Sequence, residues 1–156
     1  MSKQKHPLTR SENMSRIRSV DTKPEVWVRR ELHARGFRFR IHRRDLPGRP
    51  DILLPKYSAA IQIHGCYWHG HSCIKRWPRT RTEYWVDKIG RNISRDDKNL
   101  GALIEKNFRV LVVWECALGR SGQATSDVVD SVVAWLHGDG VVGTVDTNGL
   151  HQSFLR

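Results

Sequence analysis

The sequence predicts an α/β fold in which a central mixed β-sheet is flanked by helices. The continuous apolar run at 109–114 is typical of a strand that is buried on both faces. Residues 51–64 contain two short strand patterns separated by a turn. Amphipathic patterns at 82–106 and 126–136 predict helices before and after the apolar run. Together these elements describe a sheet sandwiched between helices.

The first helix is predicted to begin with a cap at Asp21 or Thr22 and to end at Gly36. Pro24 suits its first turn, and Glu25 lies near the positive end of the helix dipole.

Three short strands are expected to follow this helix as a meander. Residues 37–41 alternate strictly between apolar and basic side chains, 51–54 form a short buried strand, and 59–64 return after a turn at 55–57. The long helix is expected to start with Thr82 as its cap. Residues 138–156 are rich in glycine and predict no regular element.

Length and charge limit the possible classes of protein. The 156 residues are enough for one domain with its own core, and the net charge is +11, from 27 Lys and Arg against 16 Asp and Glu. Such a basic domain most often binds a polyanion. We favour nucleic acid over an anionic membrane surface or a general effect on solubility, because the basic residues cluster near the reactive ones. We therefore expect a basic DNA-binding arm at 1–20 and a single domain at 21–156.

No apolar run in the sequence approaches transmembrane length, and the first residues lack the apolar segment of a secretory signal. We therefore expect a cytoplasmic protein.

The reactive residues concentrate at 61–73, which reads I-Q-I-H-G-C-Y-W-H-G-H-S-C. The segment begins as a strand, and Gly65 and Gly70 then allow tight turns. Three histidines, two cysteines and a Tyr-Trp pair are therefore expected on a loop at the end of a strand.

Three cysteines and a histidine have the residue types of a closed, tetrahedral structural zinc site: Cys66, His71, Cys73 and Cys116. Their spacing is not that of a standard zinc finger. The alternative is three inert buried cysteines and a surface histidine. We favour zinc because Cys116 ends a strand that is expected to lie beside strand 59–64.

A second cluster is predicted around Asp51. Asp51 and His64 can project from the same edge of the hairpin, and a carboxylate aided by a backbone carbonyl suits Mg²⁺. His64 and His69 are not needed for zinc, and a neutral imidazole can accept a proton from water near pH 7. Glu25 can orient a histidine or a water. The alternative is a turn carboxylate beside solvated loop histidines.

Aromatic residues lie near a run of basic residues at 75–88. Tyr67 and Trp68, between a predicted zinc ligand and a predicted base, are interpreted as apolar wedges that part stacked bases. Met14 can act in the same way from the opposite groove. Core filling is the alternative for the group Tyr67, Trp68, Trp77 and Trp85.

The sequence resembles the very-short-patch repair (Vsr) endonucleases. Its most specific motifs are LPGRPD at 46–51 and HGCYWHGHSC at 64–73, and the likeness spans about residues 9–150. Further matching residues lie at 13–14, 21–22, 25, 80–83, 85, 88–90, 92, 95–96 and 113–118.

The resemblance implies a restriction-endonuclease-like fold and a Mg²⁺-dependent nick 5′ to the thymine of a T·G mismatch, the product of 5-methylcytosine deamination. By position, Asp51 would bind Mg²⁺ together with the carbonyl of Ile63. His69 would be the general base, and His64 and Glu25 would complete the catalytic site.

Further roles follow from the same resemblance. Asp96 is an accessory candidate, and the zinc ligands would be Cys66, His71, Cys73 and Cys116. The wedge and DNA-binding residues would be Met14, Tyr67, Trp68, Trp85, Lys88 and Asn92. The expected partner is double-stranded DNA with a T·G mismatch, and a mismatch-repair protein such as MutL is a candidate for recruiting the enzyme. We expect a monomer in the bacterial cytoplasm, associated with the nucleoid.

The chain departs from the expected patterns at a few positions. Gln62, Ile63 and His64 stand where the wider nuclease superfamily has Glu/Asp-x-Lys, a difference shared by Vsr-like enzymes. Tyr67 stands where a phenylalanine is expected, and the loop at 73–80 can differ in length.

Three other functions compete with this interpretation. One is a restriction-type or sequence-specific nuclease of the same fold. Another is a non-catalytic, zinc-stabilised DNA-binding protein, against which Asp51 and the two histidines free of zinc argue. The third is a zinc hydrolase or nucleobase deaminase, which is disfavoured because the chain lacks a His-x-Glu motif.

Overall fold

In a computed structural model, the described part of the chain comprises Thr9, residues 19–119 and residues 126–153. Its helices are α1 (Lys23–Ala34), α2 (Thr82–Glu105) and α3 (Ser126–His137). Its strands are β1 (Ile52–Leu54), β2 (Ala59–His64), β3 (Arg109–Trp114), β4 (Val142–Asp146) and β5 (Gly149–Ser153). None of the helices described is long and apolar enough to cross a membrane. Met14 and most of the predicted arm lie outside the described residues.

The five strands form one mixed sheet in the order β1-β2-β3-β4-β5. The pairs β1/β2 and β4/β5 are antiparallel, whereas β2/β3 and β3/β4 are parallel. The register places His64 opposite Trp114, so the carboxyl ends of β2 and β3 meet at the same edge. The prediction that the strand before Cys116 lies beside strand 59–64 is therefore confirmed.

Two hydrophobic layers cover the sheet. On one face, Ile61 and Leu111 pack with Trp135 and other residues of α1 and α3. On the other face, Ala60 packs with Leu103 of α2 in a smaller layer. The predicted architecture, a mixed sheet flanked by helices, is thus confirmed. Because side chains alternate along a strand, Gln62 and His64 lie on the same face of β2 as Ala60 and also face α2.

The predicted strand at 37–41 is wrong, apart from an isolated bridge between Arg40 and Leu53. The Phe37 N–H instead donates to the Leu32 carbonyl at 3.0 Å, which closes the end of α1. The Phe37 ring is buried and lies 5.6 Å from that of Tyr57. The alternation therefore reflects packing after a helix rather than an extended strand.

Two other expectations also need correction. Thr82 does not cap α2, since it lies inside the helix and its hydroxyl donates to the Pro78 carbonyl at 3.0 Å. Residues 138–156, for which no element was predicted, contain β4 and β5. Asp146 pairs with Gly149 across a two-residue turn, and the Asn148-Gly149 sequence is a hairpin signal that could have revealed it.

Gly143 in β4 offers the first prediction, because a Cβ there would lie 2.7 Å from Trp135 Nε1 and 2.8 Å from Leu111 Cδ1. Gly143→Ala should lower the free energy of unfolding by about 1–3 kcal/mol through overpacking. Urea denaturation would measure this. Gly101→Ala in α2 is the control, since a Cβ there meets nothing within 4 Å and should not destabilise the protein. Equal midpoints for Gly143→Ala and wild type would contradict the close contact.

Candidate active site and metal centre

Antiparallel pairing of β1 and β2 brings the predicted catalytic residues to one cleft. Asp51 immediately precedes β1, and the backbone N–H of Ile63 in β2 donates to its Oδ2 at 2.7 Å. The cleft has a volume of about 720 Å³. Its lining includes Glu25, Asp51, Ile63, His64, His69 and Asp96.

The turn before Asp51 depends on Gly48, which has a φ of +69°. A Cβ at this position would lie 2.8 Å from Gln62 Nε2 and 3.0 Å from Asn99 Cβ. Only glycine therefore lets the turn approach both β2 and α2 this closely. That approach sets the position of Asp51.

The environment of Asp51 disfavours the ionised form of its carboxyl group. Burial raises its pKa to about 6; the hydrogen bond from Ile63 opposes this shift, and the nearby carboxylate of Glu25 reinforces it. A cation at this position would relieve both the burial and the repulsion. The site therefore fits a divalent metal that prefers oxygen ligands.

Two stacked imidazoles lie in the same cleft. The rings of His64 and His69 are 3.9 Å apart and nearly parallel, at 8°. His69 Nδ1 lies 2.5 Å from Asp96 Oδ2 in a hydrogen bond. A carboxylate at Nδ1 keeps the proton on that atom, so that the lone pair of neutral His69 is on Nε2. His69 thus has the protonation pattern of a general base.

His64 is in a different electrostatic state. Burial, followed by the neighbouring charge of His69, lowers its pKa to about 4, and its Nε2 lies 3.0 Å from Gln62 Oε1. His64 is therefore neutral near pH 7. Burial is the largest single influence on Asp96 and opposes its ionisation, but the hydrogen bond from His69 and the nearby basic side chains together outweigh burial and lower the pKa of Asp96. These environments separate the roles of the two histidines.

Glu25 is held by the start of α1. Its Oε1 accepts a hydrogen bond from the Thr22 hydroxyl at 3.0 Å, and its Oε2 accepts from the Asp21 N–H at 2.9 Å. Arg29 also donates to Oε2 at 3.0 Å and contacts Asp21 at 2.6 Å. Arg29 was not predicted as a site residue, although its position four residues after Glu25 in a helix was a usable signal. The positive charge of Arg29 compensates the negative charge of Glu25, which lies near Asp51.

The predicted cysteine and histidine ligands meet just beyond the carboxyl ends of β2 and β3. Their ligand atoms lie within 4.8 Å of one another: Cys66, His71, Cys73 and Cys116. The His71 N–H donates to the Cys66 carbonyl at 2.9 Å, and the Cys116 N–H donates to Cys66 Sγ at 3.3 Å. Burial raises the pKa of the Cys66 thiol, so a bound metal would be needed to stabilise its thiolate. The residues present fit a metal site.

An aromatic cluster adjoins these two sites. The Tyr67 ring lies 5.1 Å from that of Trp68 and 5.8 Å from that of Trp85. Trp85 is buried and supports the other two rings. Lys88 Nζ lies 5.5 Å from the Trp68 ring, and Asn92 donates to the Trp68 carbonyl at 2.9 Å. Five of the six predicted DNA-binding residues thus lie together; the sixth, in the arm, is not described.

Comparison with known proteins gives a consistent result. A family model described as "DNA mismatch endonuclease Vsr" matches residues 3–75. The DNA mismatch endonuclease Vsr of Escherichia coli is 41% identical over 145 residues, which are 92% of this chain and 93% of that protein. The type II nicking enzyme V.XorIIP of Xanthomonas oryzae is 47% identical over 70% of this chain and 81% of its own length. V.NmeAIP, a type II nicking enzyme of Neisseria meningitidis, is 48% identical over 70% of this chain and 79% of its own length.

Proposed function

Because the chain belongs to the Vsr family of DNA mismatch endonucleases, we propose that it nicks double-stranded DNA 5′ to the thymine of a T·G mismatch. The observation that supports this best is the single cleft that contains Asp51, the end of β2 and the His64–His69 pair. A carboxylate and an imidazole base in one cleft are the groups required for hydrolysis of a phosphodiester.

In the proposed mechanism, Asp51 and the Ile63 carbonyl would hold Mg²⁺. When bound, the metal would supply positive charge to the scissile phosphate and make water more acidic. Nε2 of His69 accepts the proton of the attacking water, and Asp96 keeps the His69 ring oriented. Neutral His64 packs against His69 and keeps a second positive charge away from it. Glu25, held by Arg29, completes the acidic side of the cleft.

We also propose that the sheet and its helices form a restriction-endonuclease-like fold, with residues 21–156 as one domain and residues 1–20 as a DNA-binding arm. The order of one helix, a hairpin, a crossover helix and a parallel central strand supports this. The net charge of +11 suits a DNA substrate. The protein would act as a monomer in the bacterial cytoplasm, with Met14 wedged into the DNA and MutL as a candidate partner.

The metal of the cysteine cluster is proposed to be structural Zn²⁺. Three thiolates and one imidazole fill a tetrahedral shell, which leaves no open position for catalysis. Cys66 follows His64 by two residues and precedes His69 by three. Zinc would therefore fix the loop that carries the proposed base.

The direct test is a cleavage assay with duplexes labelled on either strand. Wild type with Mg²⁺ should cut the thymine strand of a T·G duplex once and leave a matched T·A duplex and the guanine strand intact. Equal cutting of matched and mismatched duplexes would favour a restriction-type nuclease. Salt-dependent binding without any cutting would favour a DNA-binding protein.

The aromatic cluster supplies a further prediction. Tyr67→Ala should reduce kcat/KM for a T·G duplex by about 10- to 100-fold, since base–aromatic stacking contributes roughly 1–3 kcal/mol. Tyr67→Phe is the matched control and should remain close to wild type, because it keeps the ring. Single-turnover nicking would measure both. A Tyr67→Ala enzyme as active as wild type would exclude the wedge role.

A further inference from the structure

Asp146 at the end of β4 connects the C-terminal hairpin to the cysteine cluster. Its Oδ1 accepts a hydrogen bond from the Asn148 N–H at 2.7 Å, which fixes the carboxylate within the turn. Its other oxygen, Oδ2, lies 3.7 Å from His71 Nε2. Both side chains are largely buried, with 16% of Asp146 and 11% of His71 exposed. The hairpin thus presents one carboxylate oxygen to this histidine.

His71 directs its other nitrogen toward the thiols. Nδ1 lies 3.7 Å from Cys116 Sγ and accepts a hydrogen bond from the Cys73 N–H at 3.3 Å. The Trp114 ring packs against the imidazole, with 4.4 Å between centroids. The imidazole therefore has one nitrogen for the cysteine cluster and one for the carboxylate. Histidines that bind metals commonly donate their second N–H to a carboxylate in this way.

We propose that Asp146 is a positioning residue of the metal centre, which accepts the Nε2–H of His71 while Nδ1 binds Zn²⁺. This proposal depends on the proposed zinc occupancy of the cluster. Nε2 of His71 and Oδ2 of Asp146 are 3.7 Å apart, slightly beyond hydrogen-bond reach, so the proposed hydrogen bond requires a shift of roughly 0.5–1 Å toward the carboxylate. The carboxylate holds the proton on Nε2, and the metal would take the Nδ1 lone pair in place of the weak hydrogen bond from the Cys73 N–H.

His151 is the other imidazole beside this carboxylate. Its Nε2 lies 3.5 Å from Asp146 Oδ1, and its side chain is 57% exposed. It therefore contacts the oxygen that the turn already holds, rather than Oδ2. Asp146 and His71 therefore connect the hairpin to the proposed metal site. In this arrangement β4 and β5, at the far side of the sheet from β1, stabilise the loop that carries His69.

The test measures transfer of zinc from the intact, zinc-loaded protein to the chromophoric chelator 4-(2-pyridylazo)resorcinol. Asp146→Ala should release zinc about 10- to 100-fold faster than wild type, the range found for such outer partners. Asp146→Asn keeps the shape of the side chain, and its rate of zinc release should lie between those of wild type and Asp146→Ala. This variant replaces the alanine variant in the test if the latter does not fold. Asp139→Asn is the matched control, because it removes one exposed carboxylate from the preceding connection and should match wild type.

A second comparison separates positioning of His71 from general loosening of the hairpin. His71→Cys keeps four ligands but needs no carboxylate partner, so adding Asp146→Ala to it should not speed release further. Acceleration by Asp146→Ala in both backgrounds would overturn the positioning role. Wild-type zinc release from Asp146→Ala would overturn it as well. If wild type binds no zinc, both this proposal and the structural zinc fail, whereas nicking at T·G remains a separate measurement.

Discussion

Replacing His69 with alanine should reduce single-turnover nicking of a T·G duplex by about 10²- to 10⁴-fold, the usual contribution of a general base. The reason lies in its hydrogen bond to Asp96, which leaves Nε2 of neutral His69 able to accept a proton. His64 cannot substitute, because burial lowers the pKa of its imidazole even without His69 and makes it a weaker base. DNA binding by the variant should change little.

Two further variants make this prediction specific. His33→Ala removes an exposed histidine on α1 and should nick like wild type. Asp96→Asn should lose less activity than His69→Ala, since it disturbs the tautomer and orientation of the base but keeps the imidazole. Equal nicking by His69→Ala and wild type, with zinc content and circular dichroism unchanged, would show that another group accepts the proton.

Asp51→Asn should lower nicking by about 10³-fold or more, because an amide holds Mg²⁺ poorly and several kcal/mol of charge stabilisation would be lost. The amide oxygen can still accept the hydrogen bond from Ile63, so the fold should persist. Asp45→Asn is the control, since Asp45 pairs with Arg43 on an exposed turn. A zinc hydrolase would tolerate Asp51→Asn, and full activity of this variant would therefore exclude the proposed magnesium site.

The same substitution should stabilise the metal-free protein. Burial raises the pKa of Asp51 from 3.8 to about 6, so the ionised carboxylate disfavours the folded state above pH 6. Asp51→Asn should then increase the free energy of unfolding by up to about 3 kcal/mol in Mg²⁺-free buffer. As pH falls from about 6 to 3.8, the Asp51 carboxyl takes up a proton in the folded state before it does so in the unfolded state. The difference in free energy of unfolding between Asp51→Asn and wild type should therefore disappear. Urea titrations at pH 8 and pH 4 would test this.

Local patterns predicted the elements that are buried on both sides. The strand 109–114 is an apolar run, its neighbour at 59–64 is buried along most of its length although it contains Gln62 and His64, and the two strands pair in parallel. The alternation at 37–41 was misleading, because Phe37 packs beside Tyr57 instead of facing a sheet partner. Strands β4 and β5 were missed because β5 is exposed at the sheet edge, where polar residues dilute the hydrophobic pattern.

The site could be anticipated where its residues are close in the chain, as in the segment from His64 to Cys73. Asp146 could not be identified in the same way, and the spacing of Arg29 from Glu25 could indicate the ion pair but not its place near Asp51. The function of Arg29 depends on Glu25 lying near Asp51, and that of Asp146 on a hairpin meeting the cysteine cluster. Such roles depend on tertiary contacts, which residue type and spacing alone do not determine.

The parallel pairing of β2 and β3 also constrains the order of assembly during protein synthesis. Cys66 and Cys116 are 50 residues apart, so three of the four ligands leave the ribosome well before the fourth. Contacts between such distant residues form late, because closing a long loop is entropically unfavourable. A metal ion bound by all four ligands would therefore stabilise β2 and β3 after they have been made rather than initiate folding, and the newly made chain cannot complete the catalytic loop before Cys116 has emerged.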